Sequence, residues 1–493
     1  MKKVVLVLLV LLVVVGGGIY WLLFTKSGNR FLQPKVENYL NQKLPVQVVL
    51  QKFQIAPMDI VVQIGKSSII AKGNVNPFQR SFDIKYKIKI VDLAALQPLH
   101  HQKIRGALNT SGTVQGNIDN FMIKGKSDIA KSATNYQITI KELEPKALQA
   151  VIQHADLAKL QYMVYQPVRT YGKLTSDIKL ESLESDNLKG VIVSHISQGR
   201  VNEQAIEKEF GIKNAKIVYS IDQKSVLQGQ TIVSDILFDS NIATAKMDSI
   251  IYNVKEDSLT IPYIVNIPNL SKLYFVTNQK MRGKIKVTGK VQKAKDFIVT
   301  AHSKTLGGRV DAVLKNTKLD VKLKNIQVTA LTYMLYYPKV FDSVMEADVH
   351  YDIAAQKGKL LAQAYDGRIL PNQMTFLLQQ IAKFDITREV YKVTTIKSDI
   401  NKKRIISNLD MQSRLTHISS KNALVDLEKE FVDAKLRVEI KKKPVFVTIK
   451  GKLKSPKVSI DAKALLKEQV KQKLEKRLKN KIPIGAKSLL NLF

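Results

Sequence analysis

Apolar and polar residues alternate strictly along several stretches of the chain. In residues 82–90 every second side chain is large and apolar, and Asp83, Lys85, Lys87 and Lys89 lie between them. The same period of two recurs at 319–323, 436–440 and 445–449. This period is typical of β-strands in a sheet with one apolar and one polar face. We therefore predict a mainly β protein with short helices between its strands.

A second pattern is an internal duplication. When the chain is shifted by 177 residues, 82–90 aligns with 259–267 and 102–106 aligns with 279–283. Further along, the offset between the copies is six residues shorter, and 160–167 then aligns with 331–338. The apolar positions are retained between the copies, whereas the residues between them change. Each repeat is therefore defined by its apolar face.

That apolar face supplies the candidate ligand-contacting residues. We expect it to line a groove if the repeated sheet is long and curved. The candidate lining residues are Phe82, Ile84, Tyr86, Ile88, Ile90, Leu259, Ile261, Tyr263, Val265, Ile267, Leu319, Val321, Leu323, Leu436, Val438 and Ile440.

Three helices are predicted outside the N-terminal segment, and one of them, at 145–166, has a partner in the second copy that leads to Pro338. One covers residues 31–44, and another covers 145–166, whose apolar residues follow a helical spacing before Pro167. The third begins after Asp461 and has a narrow apolar stripe among many lysines. Such a basic amphipathic helix suits an anionic membrane surface, or it packs its stripe on the last strands. The sequence leaves these two interpretations open.

The N-terminal segment indicates a membrane anchor. Residues 4–24 carry no charge, and ~20 apolar residues are enough to cross a bilayer core. A cleaved signal peptide would need a shorter apolar run and an Ala-x-Ala-like site, whereas the first Ala is Ala56. We therefore expect a single-pass protein of the bacterial inner membrane, with a cytoplasmic N-terminus and most of the chain in the periplasm. The expected anchor residues are Val4, Leu8, Leu12, Trp21 and Phe24.

These patterns divide the chain into five predicted segments. The anchor at 1–25 is followed by a membrane-proximal helix and first strands at 26–81. The two repeat units cover 82–258 and 259–460, the second including the C-terminal strands. The basic helix and tail occupy 461–493.

Composition and motifs argue against several kinds of chemistry. The chain has 78 Lys and Arg against 42 Asp and Glu, a net charge of +36, and no Cys. The absence of Cys excludes disulfides, thiolate metal ligands and thiol nucleophiles. The seven histidines are dispersed, and no phosphate-binding or hydrolase motif occurs, so we expect neither an enzyme nor a cofactor or metal. The lysines are spread along strands and do not cluster with aromatic residues, so nucleic-acid binding is not expected.

Several of these features together resemble the AsmA/TamB superfamily. They are the single anchor with its following helix, the turns at 105–112 and 282–289, the Gly-Gly-Arg-Val sequence at 307–310, and the strand–Gly–strand–Pro pattern at 446–461. The resemblance covers nearly the whole chain. It implies an elongated periplasmic β-groove with an apolar interior that carries phospholipids between the inner and outer membranes.

Our leading hypothesis is a membrane-anchored lipid-binding or lipid-transfer protein that contributes to phospholipid transport or outer-membrane homeostasis. Its expected partners are phospholipid acyl chains and the inner membrane. One alternative is an envelope assembly factor that binds an outer-membrane protein through a sheet edge or the tail. Another is a structural spacer without lipid cargo.

Overall fold

A computed structural model describes residues 20–461, except 77 and 185. It is mainly β, as predicted. The chain divides into two compact units, Met1–Ile261 and Pro262–Phe493. Within each unit the strands are antiparallel, and strands that follow one another in the sequence pair with each other.

The described part of the first unit contains thirteen complete strands, and a fourteenth crosses the division. They are β1 (Val48–Lys52), β2 (Met58–Ile64), β3 (Ser67–Asn76), β4 (Ser81–Ile90), β5 (Leu108–Asn117), β6 (Asn120–Ser127), β7 (Ala133–Lys141), β8 (Glu144–Asp156), β9 (Thr170–Ser182), β10 (Lys189–Val201), β11 (Val218–Gln228), β12 (Thr231–Ser240), β13 (Thr244–Asn253) and β14 (Ser258–Ile267). The α-helices that lie wholly within the described residues of this unit include α1 (Lys26–Lys43), α2 (Gln97–His100), α3 (Leu157–Met163) and α4 (Glu203–Phe210), and short 3-10 turns cover Leu93–Leu96 and Ile129–Lys131.

The second unit continues the same architecture within its described residues. Its strands are β15 (Ile285–Lys293), β16 (Phe297–Thr305), β17 (Gly308–Lys315), β18 (Lys318–Gln327), β19 (Phe341–Asp352), β20 (Lys357–Ile369), β21 (Tyr391–Asn401), β22 (Arg404–Gln412), β23 (Thr416–Asp426), β24 (Phe431–Ile440), β25 (Lys443–Lys452) and β26 (Ser455–Ile460). Its helices are α5 (Tyr274–Thr277), α6 (Val328–Met334) and α7 (Gln373–Ala382), with 3-10 turns at Leu270–Leu273 and Ile386–Arg388.

Helix α1 covers residues 31–43 of the helix predicted at 31–44 and begins earlier, at Lys26. Thr25 is its N-cap, and the Thr25 hydroxyl accepts a hydrogen bond from the Gly28 N–H at 3.1 Å. This cap satisfies one of the free N–H groups of the first turn. The helix then packs on β1, where the Glu37 carboxylate accepts a hydrogen bond from the Leu50 N–H at 2.8 Å.

The prediction of a helix at 145–166 is wrong. Strand β8 occupies most of this range, and only the seven-residue α3 follows it. Leu148, Ala150 and Ile152 lie on one face of β8 at a period of two, and each is paired with β7 and β9. Pairing on both sides and the alternation of these residues outweigh their weaker helical spacing. Asp156 caps α3 by accepting hydrogen bonds from the first N–H groups of the helix.

The duplication is visible in the backbone. β4 and β14 each contain ten residues and start 177 positions apart, and the 3-10 turns and short helices that follow them have the same offset. Gly106 and Gly283 have φ angles of 101° and 98°. Their carbonyls accept hydrogen bonds from the N–H groups of Leu93 and Leu270 at 2.8 and 2.9 Å. The two repeats therefore share a turn that favours glycine.

The N-terminal anchor prediction falls mostly outside the described residues, which include neither Val4, Leu8 nor Leu12. Trp21 and Phe24 belong to a helical stretch at 20–24, and the Trp21 ring lies 6.1 Å from that of Phe31. Among the described helices, none combines the length and the apolar character needed to cross a membrane. The predicted basic helix after Asp461 also lies outside the described residues.

Candidate functional site

The alternation predicted for β4 is present as alternating exposure. Its apolar residues Phe82, Ile84, Tyr86, Ile88 and Ile90 are all half-buried, and the Asp and Lys residues between them are exposed. A side chain enclosed by a second layer would be buried, as in an ordinary sheet-on-sheet core. The apolar side of β4 therefore remains partly accessible.

A continuous apolar row crosses the first unit from β4 to β13. Each residue of the row lies directly opposite the next one on the neighbouring strand, and most of these residues are half-buried. We call this row and the residues beside it on the same side of the sheet the first-unit apolar face. The row consists of Ile84, Val114, Ile123, Ile138, Leu148, Leu180, Gly190, Leu227, Ile232 and Tyr252.

One end of this face is closed by a small core. Leu93, Ala130, Ala155 and Met163 are buried there, and Ile90 packs against them. These residues come from the two 3-10 turns, the last residues of β8 and the end of α3. The cluster lies at the strand ends, and most residues of the row itself are half-buried.

Polar groups on this face bond to one another. The hydroxyls of Tyr86 and Tyr136 are 2.6 Å apart, and the Tyr136 hydroxyl is also 2.6 Å from that of Thr110. Ser225 and Ser234 form a similar buried pair at 2.7 Å across β11 and β12. Burial, followed by the bond to Tyr136, raises the pKa of the Tyr86 hydroxyl well above its usual value. These groups are neutral and satisfied, so they do not oppose contact with an apolar ligand.

The predicted residues of the second repeat have similar exposure. Leu259 and Ile261 lie in β14 before the division between the units, and Tyr263, Val265 and Ile267 lie after it; all five are half-buried. Leu319, Val321 and Leu323 of β18 are also half-buried, with exposed Asp320 and Lys322 between them. Their alternation is therefore the same as in β4.

The three predicted residues of β24 lie in a different environment. Leu436, Val438 and Ile440 are buried, and Val438 has no exposed surface. They belong to a closed core with Leu378 of α7 and Tyr391 of β21. Burial raises the pKa of the Tyr391 hydroxyl to about 12. Val438 and Ile440 are therefore core residues. The alternation correctly predicted which side of β24 is apolar, but it did not predict that this side packs in a core with α7.

Beside this core, the second unit contains an apolar cavity that the sequence analysis missed. Its volume is about 710 Å³, within the roughly 300–1,000 Å³ typical of small-molecule sites. Leu436, Met411 and Ile418 line it and also belong to the closed core. Met374 at the start of α7 contributes a further wall. We call this space the α7 cavity.

The cavity results from small residues on β20. Ala362 and Ala364 lie opposite Ile396 and Thr394 of β21 and point to the same side of the sheet. Larger residues at those positions would fill the space, since protein interiors are close-packed. The sequence contains one signal of the helix that borders this cavity: Asn372 and Thr375 form a capping box at the start of α7.

The polar sides of several strands carry cross-strand pairs of histidine and aspartate. Three histidines lie directly opposite aspartates, with Nδ1–Oδ1 distances of 2.5–2.7 Å: His195 with Asp222, His302 with Asp311, and His350 with Asp320. Within the described residues, no three His, Asp or Glu side chains converge as metal ligands would. In each pair the histidine is exposed, and such pairs contribute modestly to the sheet.

Comparison with known proteins does not assign a family. No family model matches the chain. The search of curated proteins also found no match.

Proposed function

We propose that this protein is a periplasmic lipid-binding protein, anchored in the bacterial inner membrane, that transfers phospholipid or maintains the outer membrane. Acyl chains would bind along the first-unit apolar face and along the equivalent residues of β14 and β18. The observation that carries this proposal is the continuous, mostly half-buried apolar row of the first unit.

The length of that row suits an elongated ligand or several ligands in line. It crosses ten strands, and neighbouring strands lie ~4.8 Å apart, so it extends about 40 Å. The hydrocarbon core of a bilayer is only ~30 Å thick, and one leaflet supplies half of it. The row is therefore longer than a single acyl chain.

The opposite faces of the strands indicate which side is hydrated. In β4, Lys85, Lys87 and Lys89 are exposed on the side away from Ile84 and Ile88. A soluble monomer rarely exposes a large contiguous apolar surface, because contact with water is unfavourable. Acyl chains would remove that surface from water and leave the lysines solvated.

The proposal is tested by the lipid content of the purified full chain. Wild type is extracted in mild detergent, incubated with phosphatidylethanolamine–phosphatidylglycerol vesicles, re-isolated and examined by native mass spectrometry. Ile88→Asp places a charge on the apolar side of β4, and Lys87→Asp places the same charge on the other side. We expect bound phospholipid to fall several-fold in Ile88→Asp and to stay unchanged in Lys87→Asp, because burying a carboxylate among acyl chains is unfavourable.

Two results would overturn the proposal. One is a wild-type protein that carries no phospholipid after incubation. The other is equal lipid content in both variants, with each variant shown to be folded by circular dichroism. Val265→Asp extends the test to the second repeat and has Ile264→Asp, an exposed neighbour on the same strand, as its control.

A further inference from the structure

Helix α7 presents apolar side chains to the outside as well as to the core. Its ten residues, Gln373–Ala382, include no charged side chain. Leu378 is buried in the closed core, whereas Phe376 and Ile381 are 59% and 53% exposed. The outward side of a surface helix normally carries charged and polar residues, so this exposure needs an explanation.

The exposed apolar residues of α7 form one patch. At ~100° per residue, Phe376 and Ile381 lie about 140° apart around the helix axis. The half-buried Leu377 lies between them, one turn before Ile381. We call Phe376, Leu377 and Ile381 the α7 patch.

Four exposed lysines lie at the C-terminal end of α7. Lys383 is the C-cap residue of the helix. Lys441 and Lys442 form the turn that follows β24, and Lys443 begins β25. The Lys441 Nζ lies 5.7 Å from the centre of the Phe384 ring, which comes two residues after the helix. This contact places the lysine-rich turn beside the end of α7.

The acids nearest to these lysines already have partners. Asp385 pairs with Arg388 at 3.3 Å. Glu439 pairs with Arg437 at 2.7 Å, and Glu389 is buried and accepts a backbone hydrogen bond. Among the ion pairs of the described residues, none includes any of the four lysines. The surface beside the α7 patch therefore carries unbalanced positive charge.

We infer that the α7 patch and the four lysines form a docking surface for an anionic phospholipid bilayer. The apolar side chains would enter the boundary between headgroups and acyl chains, and the lysines would contact the phosphates. This inference goes beyond the proposed function, because contact with a bilayer at α7 does not require acyl chains on the first-unit apolar face.

Charge complementarity favours a bilayer over a second copy of the chain. Two copies that pair symmetrically through this surface would place it opposite itself. The lysines of both copies would then share one interface whose acids are already paired, and like charges oppose each other there. An anionic bilayer instead supplies negative headgroups together with an apolar layer.

The test measures binding of the purified full chain to vesicles. The chain is held in phosphatidylcholine nanodiscs, so that lipid is already available to the apolar residues 4–24. Vesicles of phosphatidylethanolamine and phosphatidylglycerol, or of phosphatidylcholine alone, are added, and binding is measured by flotation. We expect the phosphatidylglycerol vesicles to bind at least about tenfold more tightly, and high salt to remove most of this difference.

The first variant tests the charges. Lys441→Gln/Lys442→Gln/Lys443→Gln should weaken binding to the anionic vesicles by about fivefold for each lysine. The matched control is Lys357→Gln/Lys402→Gln/Lys429→Gln. It removes the same charge from exposed lysines at the opposite ends of the strands and should weaken binding far less.

The second variant tests the apolar patch. Phe376→Ser/Ile381→Ser should weaken vesicle binding at least about tenfold, because less apolar surface leaves water on docking. Its matched control is Ile406→Ser/Leu427→Ser, whose residues are 45% and 46% exposed and lie outside α7. The control should bind vesicles like wild type, and circular dichroism shows whether each variant is folded.

A fluorescent label gives an independent measurement of contact. Because the chain has no Cys, one introduced cysteine can be labelled at a single position. A label on Ile381→Cys should be quenched by vesicle lipids with spin-labelled acyl chains. A label on Lys402→Cys, in the exposed turn between β21 and β22, should not be quenched.

Several results would overturn the inference. They are equal binding to both kinds of vesicle, equal binding by the triple lysine variant and its control, and wild-type binding by a folded Phe376→Ser/Ile381→Ser. Wild-type dimers that form without vesicles and are lost in Phe376→Ser/Ile381→Ser would show that the surface joins two copies instead. Ile88→Asp, which tests the proposed function, should bind vesicles like wild type, so the two proposals fail separately.

Discussion

The hydroxyls of Tyr86 and Tyr136 meet 2.6 Å apart across two intervening strands. In register, Tyr86 lies opposite Gly112, Gly112 opposite Gly125, and Gly125 opposite Tyr136. The two glycines leave room for the rings to lie over β5 and β6. A Cβ added at Gly125 would lie 2.3 Å from Tyr86 Oη and 2.5 Å from Tyr136 Cζ. Glycine is therefore required there for close packing.

Gly125→Ala should destabilise the first unit by about 1–3 kcal/mol, the usual cost of overpacking. The measurement is urea unfolding followed by hydrogen exchange in β4–β7. The second repeat avoids this cost. There, Ala301 lies opposite Gly289, in the place of Gly125, and Ala312 lies opposite Ala301, in the place of Tyr136.

The double variant Gly125→Ala/Tyr136→Ala copies that arrangement and serves as the control. It should be less destabilised than the sum of the two single variants. Additive losses would contradict the packing described for Tyr86 and Tyr136.

A second prediction concerns Arg105 and Arg282, which directly precede the glycines of the shared turn. The Arg105 guanidinium carbon lies 3.9 Å from the Tyr162 ring centroid and 4.4 Å from that of Tyr165, and its Nε donates to the Tyr162 carbonyl at 2.8 Å. Arg282 repeats the stacking, at 4.2 and 3.8 Å from Tyr333 and Tyr336, but its Nε is buried without a hydrogen-bond partner.

Arg105→Lys should therefore cost about 1–2 kcal/mol, since lysine loses both the planar stacking and the hydrogen bond. Arg282→Lys should cost less, because no hydrogen bond from Nε is lost. Thermal unfolding of the two single variants under identical conditions measures this difference. A larger loss for Arg282→Lys would show that the two turns are stabilised differently from this description.

A third prediction concerns pH. The Asp92 carboxylate accepts hydrogen bonds from the N–H groups of Gly106 and Ala94 at 2.8 and 3.1 Å. These bonds, Gly106 first, lower the pKa of Asp92, with a smaller contribution from the charge of Arg105. The second repeat has Asn269 at this position, which caps its turn without a titratable group.

Because the pKa of Asp92 is lowered by folding, its stabilisation is present above the unfolded value of about 3.9 and is lost as the pH falls below it. Asp92→Asn should be less stable than wild type at pH 7, and the difference should disappear near pH 2. The measurement is the difference in urea midpoint between variant and wild type at each pH, in which other carboxylates cancel. A difference that stays constant with pH would contradict the assignment.

Much of the fold could be predicted from local patterns. The alternation of apolar and polar residues identifies β4 and β18 because each strand has one hydrated side. Lys85 and Asp320 are exposed on that side. The repeated turn is visible because Gly106 and Gly283 need the same backbone conformation. These features depend on neighbours in sequence or on a single pairing.

What covers a face depends on contacts distant in sequence, and this part could not be predicted. The alternation of Leu436, Val438 and Ile440 resembles that of Ile84, Tyr86 and Ile88. Yet the first group is buried in a core that includes Leu378 of α7, whereas the second group is half-buried. The α7 cavity likewise brings together Met374 of α7 and Leu436 of β24, which are far apart in the sequence. In 145–166, pairing of β8 on both sides prevailed over helical spacing.

The central claim is that lipid contacts the apolar face of the first unit, and site-specific photocrosslinking tests it most directly. A benzophenone amino acid is placed at position 88, on the apolar side of β4, and separately at position 87, on the hydrated side. After ultraviolet irradiation of intact cells grown with radiolabelled phosphate, the account predicts labelled phospholipid attached at 88 and almost none at 87. Equal labelling at both positions, or none at either in a correctly folded protein, would contradict it.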